Sequence, residues 1–334
     1  MANKNKAPFY SVVVPLYNEE DVLQFTYACL TTTMAGKGVD YELIFVNDGS
    51  RDRTEEIVAE LCEKDSRVRL LSLSRNFGHQ AAVTAGLDYA AGDAIVIIDA
   101  DLQDPPNVIP DMIALWEQGY DVVYGKRKGR EGESWFKKWT AKAFYRLLQK
   151  ITDIDIPLDT GDFRLIDRKV CDALKGLEER NRFIRGLVSW VGFKQIAIEY
   201  ERDARFAGET KYPLKRMLKF AMDGIVAFSY KPLQAAGILG IAMVSGGTAL
   251  LMILLIMAVF TNDLNVTGWL FIAPVFLIGQ GIVLVFIGIL GEYIGRLFDE
   301  ARKRPVYIMG HTVGKERSVP QTLDTKIPEN KENN

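Results

Sequence analysis

The sequence predicts an α/β fold in which strands and helices alternate along the chain and the strands form one sheet. Two transmembrane helices follow this part of the chain. Short apolar runs alternate with amphipathic stretches from residue 9 onward, as in βαβ units with a parallel sheet. Acidic residues follow several of these runs directly. Two uncharged apolar segments lie late in the chain, at 233–260 and 266–291, and each is longer than the roughly 20 residues that cross a bilayer.

The predicted sheet begins with the run SVVVPLYN, and an amphipathic stretch leads to a second strand, YELIFVNDGS. A helix over 53–65, the strand VRLLSLS, a helix over 81–90 and the strand DAIVIIDAD complete this part of the chain. Ligands of open sheets bind beyond the carboxyl ends of the strands. That rule selects residues 15–20, 47–52 and 99–104 as the candidate site.

The pattern between Trp135 and Val191 is helical, because aromatic and apolar residues recur three and four positions apart among lysines. A second mixed helix is expected over 213–228, where apolar and basic residues alternate in the same way. The first helical region is equally compatible with packing on the sheet and with lying in a membrane interface. For the second, its position next to an apolar segment favours the interface.

The two apolar segments are flanked by basic residues on one side of the membrane only. The short link at 261–265 has no lysine or arginine, which predicts that both termini face the cytoplasm. A buried hairpin in a soluble core is the alternative. The basic residues before and after the segments are Lys211, Lys215, Arg216, Lys219, Lys231, Arg296, Arg302, Lys303 and Arg304.

Composition excludes some classes of partner. The 334 residues leave room for one domain of usual size and a smaller unit. The net charge of −2 lacks the basic excess of a nucleic-acid-binding protein, so no nucleic acid is expected as a partner. Three cysteines without metal-ligand spacing favour a reducing compartment, and the short polar N-terminus predicts no signal peptide.

The motif DADLQD, at 99–104, is the strongest chemical signal. A divalent cation held by one or two carboxylates can bridge the phosphates of a nucleotide diphosphate. Asp99, Asp101 and Gln103 alternate after an apolar run, so on a strand end their side chains would point to one side. A solvated acidic turn is the alternative.

Glu19 and Asp48 follow the first and second strands in PLYNEED and VNDGSRDRT. Carboxylates in these places suit hydrogen bonds to ribose hydroxyls or base edges, so both are candidates for nucleoside recognition. For Asp48 the alternative is turn chemistry, because Asn-Asp-Gly-Ser favours a tight bend with or without a ligand.

Six motifs in order resemble the family 2 glycosyltransferases, in the branch that acts on polyisoprenyl phosphates. They are VVVPLYNEE, FVNDGSRDRT, LSRNFGHQAAVTAGLDYA, IDADLQDPP, YGKR and TGDFRL. The resemblance is nearest to bacterial undecaprenyl phosphate glucosyltransferases and covers about residues 9–212. It implies a GT-A fold with a Rossmann-like mixed sheet, a Mg²⁺ or Mn²⁺ cofactor and inversion at the anomeric carbon. The implied partners are a nucleotide diphosphate sugar, with UDP-glucose the leading donor, and a polyprenyl phosphate in the plasma (inner) membrane.

The resemblance also implies roles for residues at matching motif positions. Asp101 and Gln103 would bind the metal, and Arg127 of YGKR would lie near the sugar and the acceptor phosphate. Arg205 and Lys211 of RFAGETKYP would lie over the diphosphate, with Thr210 in place of the usual serine. The residues implied for nucleotide binding are Pro15, Tyr17, Glu19, Asp48, Asp99 and Ala100.

Asp162 of TGDFRL is a catalytic candidate with an open role. The phosphate acceptor is already anionic, so Asp162 could serve as a base, orient the sugar, or take a structural role such as pairing with Arg164. Lys137 and Lys138 lie where family contacts to the acceptor phosphate occur, although the match there is loose.

These observations predict four regions and an assembly. The regions are a GT-A core at 1–162, juxtamembrane helices at 163–232, a transmembrane hairpin at 233–293 and a cytoplasmic tail at 294–334. An apolar segment in the tail, 305–309, is expected to dock as a strand on this domain or on a neighbouring subunit, which predicts a homo-oligomer such as a tetramer.

Rival functions are a processive polysaccharide synthase, whose Q-x-x-R-W segment the chain lacks, transfer of another sugar such as aminoarabinose, N-acetylhexosamine or mannose, and an inactive membrane scaffold.

Overall fold

The structure is a computed structural model that describes residues 9–127, 160–180, 182–201 and 267–315, with a few single positions between 242 and 252. The chain divides into two compact units. The first comprises Met1–Gln149, Ile154–Leu214 and Pro305–Asn334, and the second comprises Lys150–Asp153 and Lys215–Arg304.

The first unit is built on one mixed sheet of eight strands in the order β7-β5-β6-β4-β1-β2-β3-β8. The strands are β1 (Phe9–Leu16), β2 (Asp40–Asn47), β3 (Val68–Leu73), β4 (Ala94–Ile97), β5 (Val122–Arg127), β6 (Thr160–Asp167), β7 (Gln195–Tyr200) and β8 (Met309–Val313).

Helices alternate with the first five strands, as the apolar periodicity predicts. The described helices of the first unit are α1 (Leu23–Lys37), α2 (Thr54–Lys64), α3 (His79–Tyr89), α4 (Ile109–Glu117), α5 (Arg168–Lys175) and α6 (Ile184–Trp190), and that of the second is α7 (Thr267–Ala301).

The parallel half of the sheet confirms the sequence prediction. β1 pairs in parallel with β2 and β4, and β2 pairs in parallel with β3. These strands are buried on both faces, and Val12, Phe45 and Leu70 are fully buried in the core. Burial on both faces explains why the strands read as continuous apolar runs rather than as alternating ones.

The helical pattern expected throughout residues 135–191 is wrong for residues 160–167, which form β6 antiparallel to β4 and β5. The sequence TGDFRLID alternates between the two faces of the sheet, with Phe163 and Leu165 in the core. β6 therefore crosses the predicted core boundary at residue 162, and two further strands of the sheet, β7 and β8, lie beyond it.

The tail strand adds to the edge of the sheet as expected, but later than the predicted segment 305–309. β8 runs antiparallel to β3 of the same chain, with Leu70 opposite Val313. Ile308 lies just before β8 and makes one backbone contact to the end of β3, in which the N–H of Ser74 donates to the Ile308 carbonyl oxygen at 3.0 Å. Exchange of this strand between subunits stays a prediction.

No helix among the described residues combines the length and the apolar character needed to cross a membrane. The predicted segment 233–260 lies outside the described residues apart from isolated positions, and so does the predicted interfacial helix at 213–228.

Candidate active site

Those predicted site residues that the structure describes lie at one edge of the sheet, where the parallel strands have their carboxyl ends. β1 and β2 end together, with Leu16 paired to Asn47, and β4 ends beside them at Ile97. The loops after these strands hold Tyr17 and Glu19, Asp48, and the motif at 99–104. Tyr17 is 41% exposed at this edge, whereas Pro15 is buried within β1.

Asp48 is almost fully buried and organises the turn that starts α3. Its carboxylate accepts hydrogen bonds from the N–H of Phe77 at 2.7 Å and of Gly78 at 2.9 Å. Burial raises the pKa of Asp48, while the two N–H donors act against that rise. The bend expected at residues 47–50 is also present, since the N–H of Ser50 donates to Asn47 Oδ1 at 3.0 Å and Gly49 has φ 67°. Contact between Asp48 and a nucleoside stays a prediction.

Residues 99–104 form a turn, not the strand end expected from their alternation. β4 stops at Ile97, and Leu102 adopts a left-handed backbone conformation with φ 51°. Exposure nevertheless alternates as predicted, since Asp99, Asp101 and Gln103 are partly exposed while Ala100, Leu102 and Asp104 are buried. The N–H of Gln103 donates to Asp101 Oδ1 at 3.2 Å, which holds these two candidate metal ligands together.

Asp104 is 1% exposed and forms a cluster with Tyr200, which is also buried, and with the partly exposed Arg127. The Tyr200 hydroxyl donates to Asp104 Oδ1, and an Arg127 terminal nitrogen lies 3.6 Å from the same oxygen. Burial and the Asp104 carboxylate raise the pKa of Tyr200. The Arg127 guanidinium also packs against β6 at Gly161, because a Cβ added to this glycine would lie 2.9 Å from the guanidinium. The predicted residue Arg127 therefore lies beside the motif at 99–104.

A second charged cluster surrounds Asp162. His79 Nε2 lies 3.0 Å from Asp162 Oδ2 and 3.8 Å from Asp99 Oδ1. On the other side, Arg185 Nε donates to Asp162 Oδ1 at 2.6 Å and a terminal nitrogen of Arg185 donates to Oδ2 at 3.1 Å. The cluster joins α3, the turn at 99–104, β6 and α6.

The ionisation of the Asp162 cluster follows from these contacts. Burial opposes the charged form of His79, but the hydrogen bond to Asp162 and the charge of Asp99 outweigh it and raise its pKa to about 9. Burial also favours the neutral form of Asp162, and Arg185 and His79 overcome it, so its pKa lies well below the usual range. Burial raises the pKa of Asp99 to about 6, with help from its acidic neighbours.

The expected pairing of Asp162 with Arg164 is absent at the carboxylate among the described contacts. Arg164 donates instead to the backbone oxygens of Asp162 at 3.3 Å and Gly161 at 3.0 Å. Burial of this guanidinium lowers its pKa to about 10.

The sequence predicts neither Arg185 nor Tyr200 as a site residue. For His79, which stands between Gly78 and the helical stretch AAVTAGLDYA, the sequence predicts only a helix start near the nucleotide. Neither Arg185 nor Tyr200 follows a predicted strand of the first half or belongs to one of the six motifs. His79 does begin α3. The predicted residues Lys137, Lys138, Arg205 and Lys211 lie outside the described residues.

Comparisons with known proteins agree on one family. The model of glycosyl transferase family 2 matches residues 11–175. The uncharacterized glycosyltransferase YkcC of Bacillus subtilis (strain 168) is 58% identical over 91% of this chain and 94% of its own length. The bactoprenol glucosyl transferase of Shigella phage SfV is 41% identical over 90% of this chain and 97% of its own.

Among solved structures, glucosyl-3-phosphoglycerate synthase from Mycobacterium tuberculosis, in complex with Mn²⁺, UDP-glucose and phosphoglyceric acid, is similar with a TM-score of 0.45. Its sequence identity is 19%, and the match covers 66% of this chain and 78% of that chain. The family assignment rests on the sequence relatives, which align along nearly their whole length. The chain is therefore a glycosyltransferase of family 2, with the GT-A-like mixed α/β sheet of that family.

Proposed function

We propose that the enzyme transfers a hexose from a nucleotide diphosphate sugar to polyprenyl phosphate, with UDP-glucose as the donor and undecaprenyl phosphate as the acceptor. The observation that carries the proposal is the 41% identity to a bactoprenol glucosyl transferase over 90% of this chain, because bactoprenol is a polyprenol. An alignment of 301 residues in a chain of 334 necessarily includes both late apolar segments. The product is a polyprenyl monophosphate sugar with inverted anomeric configuration.

The reaction needs little base catalysis. An oxygen of the acceptor phosphate attacks the anomeric carbon while the bond from that carbon to the donor diphosphate breaks, and the nucleoside diphosphate leaves. Since the acceptor phosphate is already an anion, no side chain has to remove a proton from it. Both carboxylate oxygens of Asp162 are engaged by His79 and Arg185, which favours an orienting role for Asp162 over a role as base.

Positive charge near the leaving group is the larger requirement, since charge grows on the diphosphate as the bond breaks. Arg127 is the described arginine beside the motif at 99–104, and its partner Asp104 fixes its position. Arg205 and Lys211 are proposed to lie over the diphosphate, and Lys137 and Lys138 to approach the acceptor phosphate. Tyr17 and Glu19 are proposed to contact the nucleoside, together with Pro15, Asp48, Asp99 and Ala100.

The donor set at the strand ends fits a divalent cation of the Mg²⁺ or Mn²⁺ type. Asp101 and Gln103 are partly exposed, offer hard oxygen ligands and are linked to each other by a hydrogen bond. The described residues contain no group of three or more His, Cys, Asp or Glu that could hold a metal. Mg²⁺ does not require such a cage, because it is commonly bound through one or two carboxylates plus substrate phosphates. When bound, the ion supplies charge neutralisation for the diphosphate.

The enzyme is proposed to be an integral protein of the plasma (inner) membrane, with its catalytic domain and both termini in the cytoplasm. The support is the pair of uncharged segments at 233–260 and 266–291 and their basic flanks. α7 also exposes large apolar side chains, among them Phe276 at 62% and Ile287 at 58%. Resistance to carbonate extraction would support this location, whereas full release into the soluble fraction would contradict it.

A donor panel tests the chemistry. The full-length protein in detergent is incubated with undecaprenyl phosphate, Mg²⁺ and radiolabelled UDP-glucose, UDP-N-acetylglucosamine, GDP-mannose or UDP-aminoarabinose, and lipid is extracted into organic solvent. Label in the lipid from UDP-glucose alone is the expected result. Label from another donor would change the sugar but keep the reaction, and no label from any donor, despite nucleotide binding, would favour the inactive scaffold.

A further inference from the structure

The edge of the sheet that would receive an anionic donor is crowded with carboxylates. Asp99, Asp101 and Asp104 lie within one turn, and Asp162 approaches them from β6. Like charges at short range oppose ionisation and repel a further anion. A diphosphate can bind here only if cations offset these charges.

Different side chains contact the different carboxylates. Asp104 is paired with the Arg127 guanidinium and accepts a hydrogen bond from the Tyr200 hydroxyl. In the part of the chain that the structure describes, His79 is the cationic residue in an ion pair with Asp99, and the same nitrogen also contacts Asp162. The His79 side chain is 40% exposed, so the ring is accessible from solvent although its Nε2 points at Asp162. With its pKa at about 9, the ring is an imidazolium at neutral pH.

Arg185 holds the ring in this place through Asp162. The guanidinium binds both oxygens of Asp162 and also donates to the Thr160 carbonyl oxygen at 3.1 Å, so three contacts orient it. Bidentate pairs of this kind are strong and directional. With Asp162 held, Oδ2 is aimed at His79 Nε2, and the imidazole cannot turn away from Asp99 without losing that bond.

We propose that His79 is a donor-binding residue whose imidazolium bridges Asp99 and Asp162 and so allows a nucleoside diphosphate to bind beside them. Asp162 and Arg185 are its positioning residues. The inference rests on the proposed function only for the place where the donor diphosphate binds.

Nucleotide binding to the full-length protein in detergent with Mg²⁺ tests the role of His79. His79→Gln should raise the Kd for UDP by about tenfold, the equivalent of roughly 1.4 kcal/mol. His79→Lys, which retains a positive charge, should stay within about threefold of wild type. Uridine has no phosphate, so its Kd should be unchanged in both variants, and His311→Gln is the matched control for replacing a histidine. The inference is overturned if His79→Gln loses affinity for UDP and for uridine equally, or if it binds UDP as tightly as wild type does.

Inorganic pyrophosphate separates this inference from the identity of the donor. In one outcome, pyrophosphate binds wild type, binds His79→Gln more weakly, and UDP binds to neither protein. The assignment of a UDP-sugar as the donor then fails, and the inference about His79 stands. If UDP binds and is turned over but both anions bind His79→Gln as they bind wild type, the proposed function stands and the inference fails. The inference also fails if neither anion binds wild type.

A double-mutant cycle and a spectroscopic signal test the positioning by Arg185. The chain has two histidines, so the imidazole signals of the His311→Gln protein report His79 alone. Arg185→Gln should shift those signals and weaken UDP binding, and the double variant Arg185→Gln/His79→Gln should bind no worse than His79→Gln. Arg185→Lys is the second variant should the glutamine not fold. Additive losses with unmoved imidazole signals would make Arg185 independent of His79 and overturn its assigned role.

Discussion

At the scale of single residues, the motif at 99–104 contains carboxylates with different tasks. Asp101 is partly exposed and linked to Gln103, whereas Asp104 is buried and bound by Tyr200 and Arg127. The letters DADLQD do not separate these residues, because the difference arises from the turn that Leu102 makes. Substitutions within one motif should therefore divide into catalytic and structural effects.

Asp101→Asn is expected to remove nearly all turnover without unfolding the protein, because the metal loses a charged ligand while the turn keeps its hydrogen bond to Gln103. Asp104→Asn is the comparison, and it should destabilise the fold by about 1–3 kcal/mol through its buried partners. Radiolabel transfer and thermal unfolding measure the two effects. Activity within threefold of wild type for Asp101→Asn would remove that residue from the metal site.

The pH dependence of stability should report His79. Its folded pKa of about 9 lies above the ordinary value of 6.5, so the ion pairs contribute fully to the free energy of unfolding below about pH 6.5. That contribution is lost as the pH rises through about 9. Thermal unfolding of the ligand-free protein between pH 6 and 10 should show this decline, and His79→Gln should flatten it. An equal decline in both proteins would assign it to other groups.

At the scale of elements, a buried ion pair ties together the end of the sheet opposite the candidate site. Glu42 on β2 is fully buried, pairs with Arg69 on β3 at 3.3 Å and accepts hydrogen bonds from Ser11 Oγ at 2.6 Å and the Ala91 N–H at 2.8 Å. One carboxylate thus joins three strands and the loop before β4. A buried charge with lost partners is far more costly than an exposed one.

Glu42→Gln is expected to lower the free energy of unfolding by about 3–5 kcal/mol, because Arg69 would be left buried without its carboxylate. Turnover per folded molecule should not change, since the pair lies away from the strand ends that carry the candidate site. Glu60→Gln is the control, because its pair with Lys64 is exposed on α2. Chemical denaturation measures both, and similar small losses would show that the buried pair is not critical.

At the scale of the whole molecule, the chain returns to its own sheet after the second unit. β8 covers the edge of β3, and an uncovered edge would expose backbone donors to pairing with other chains. The same strand could add to β3 of a neighbouring subunit in the predicted homo-oligomer. The two arrangements make the same hydrogen bonds and differ only in which chain supplies the strand.

Truncation after Arg304 distinguishes these arrangements. If β8 is exchanged, removing it should reduce the oligomer mass measured by light scattering in detergent. If β8 stays within its own chain, the mass should stay unchanged while the thermal unfolding temperature falls, since the edge of β3 loses its cover. The variant Val306→Asp keeps the full length and serves as a check on nonspecific effects of shortening the tail.

The sequence alone determined the parallel half of the sheet and the edge of the sheet at which the candidate site lies. Burial on both faces makes β1 to β4 continuous apolar runs, and the residues after them, including Asp48, Asp99 and Asp101, are local in sequence to those runs. The family followed from six such local motifs. Four of them begin in β1, β2 or β3 or directly after β4 and continue beyond the strand end, and YGKR and TGDFRL lie within β5 and β6. Local patterns carry these features, so no tertiary information was needed.

Only the tertiary structure decided the partners of Asp162. β6 was read as helical because its buried residues lie within a stretch with helical spacing, and pairing with β4 and β5 overrides that local preference. Arg185 and His79 reach Asp162 from elements 23 and 83 residues away in the chain. Contacts between side chains so far apart depend on how strands and helices pack, and no periodicity or spacing in the sequence encodes them.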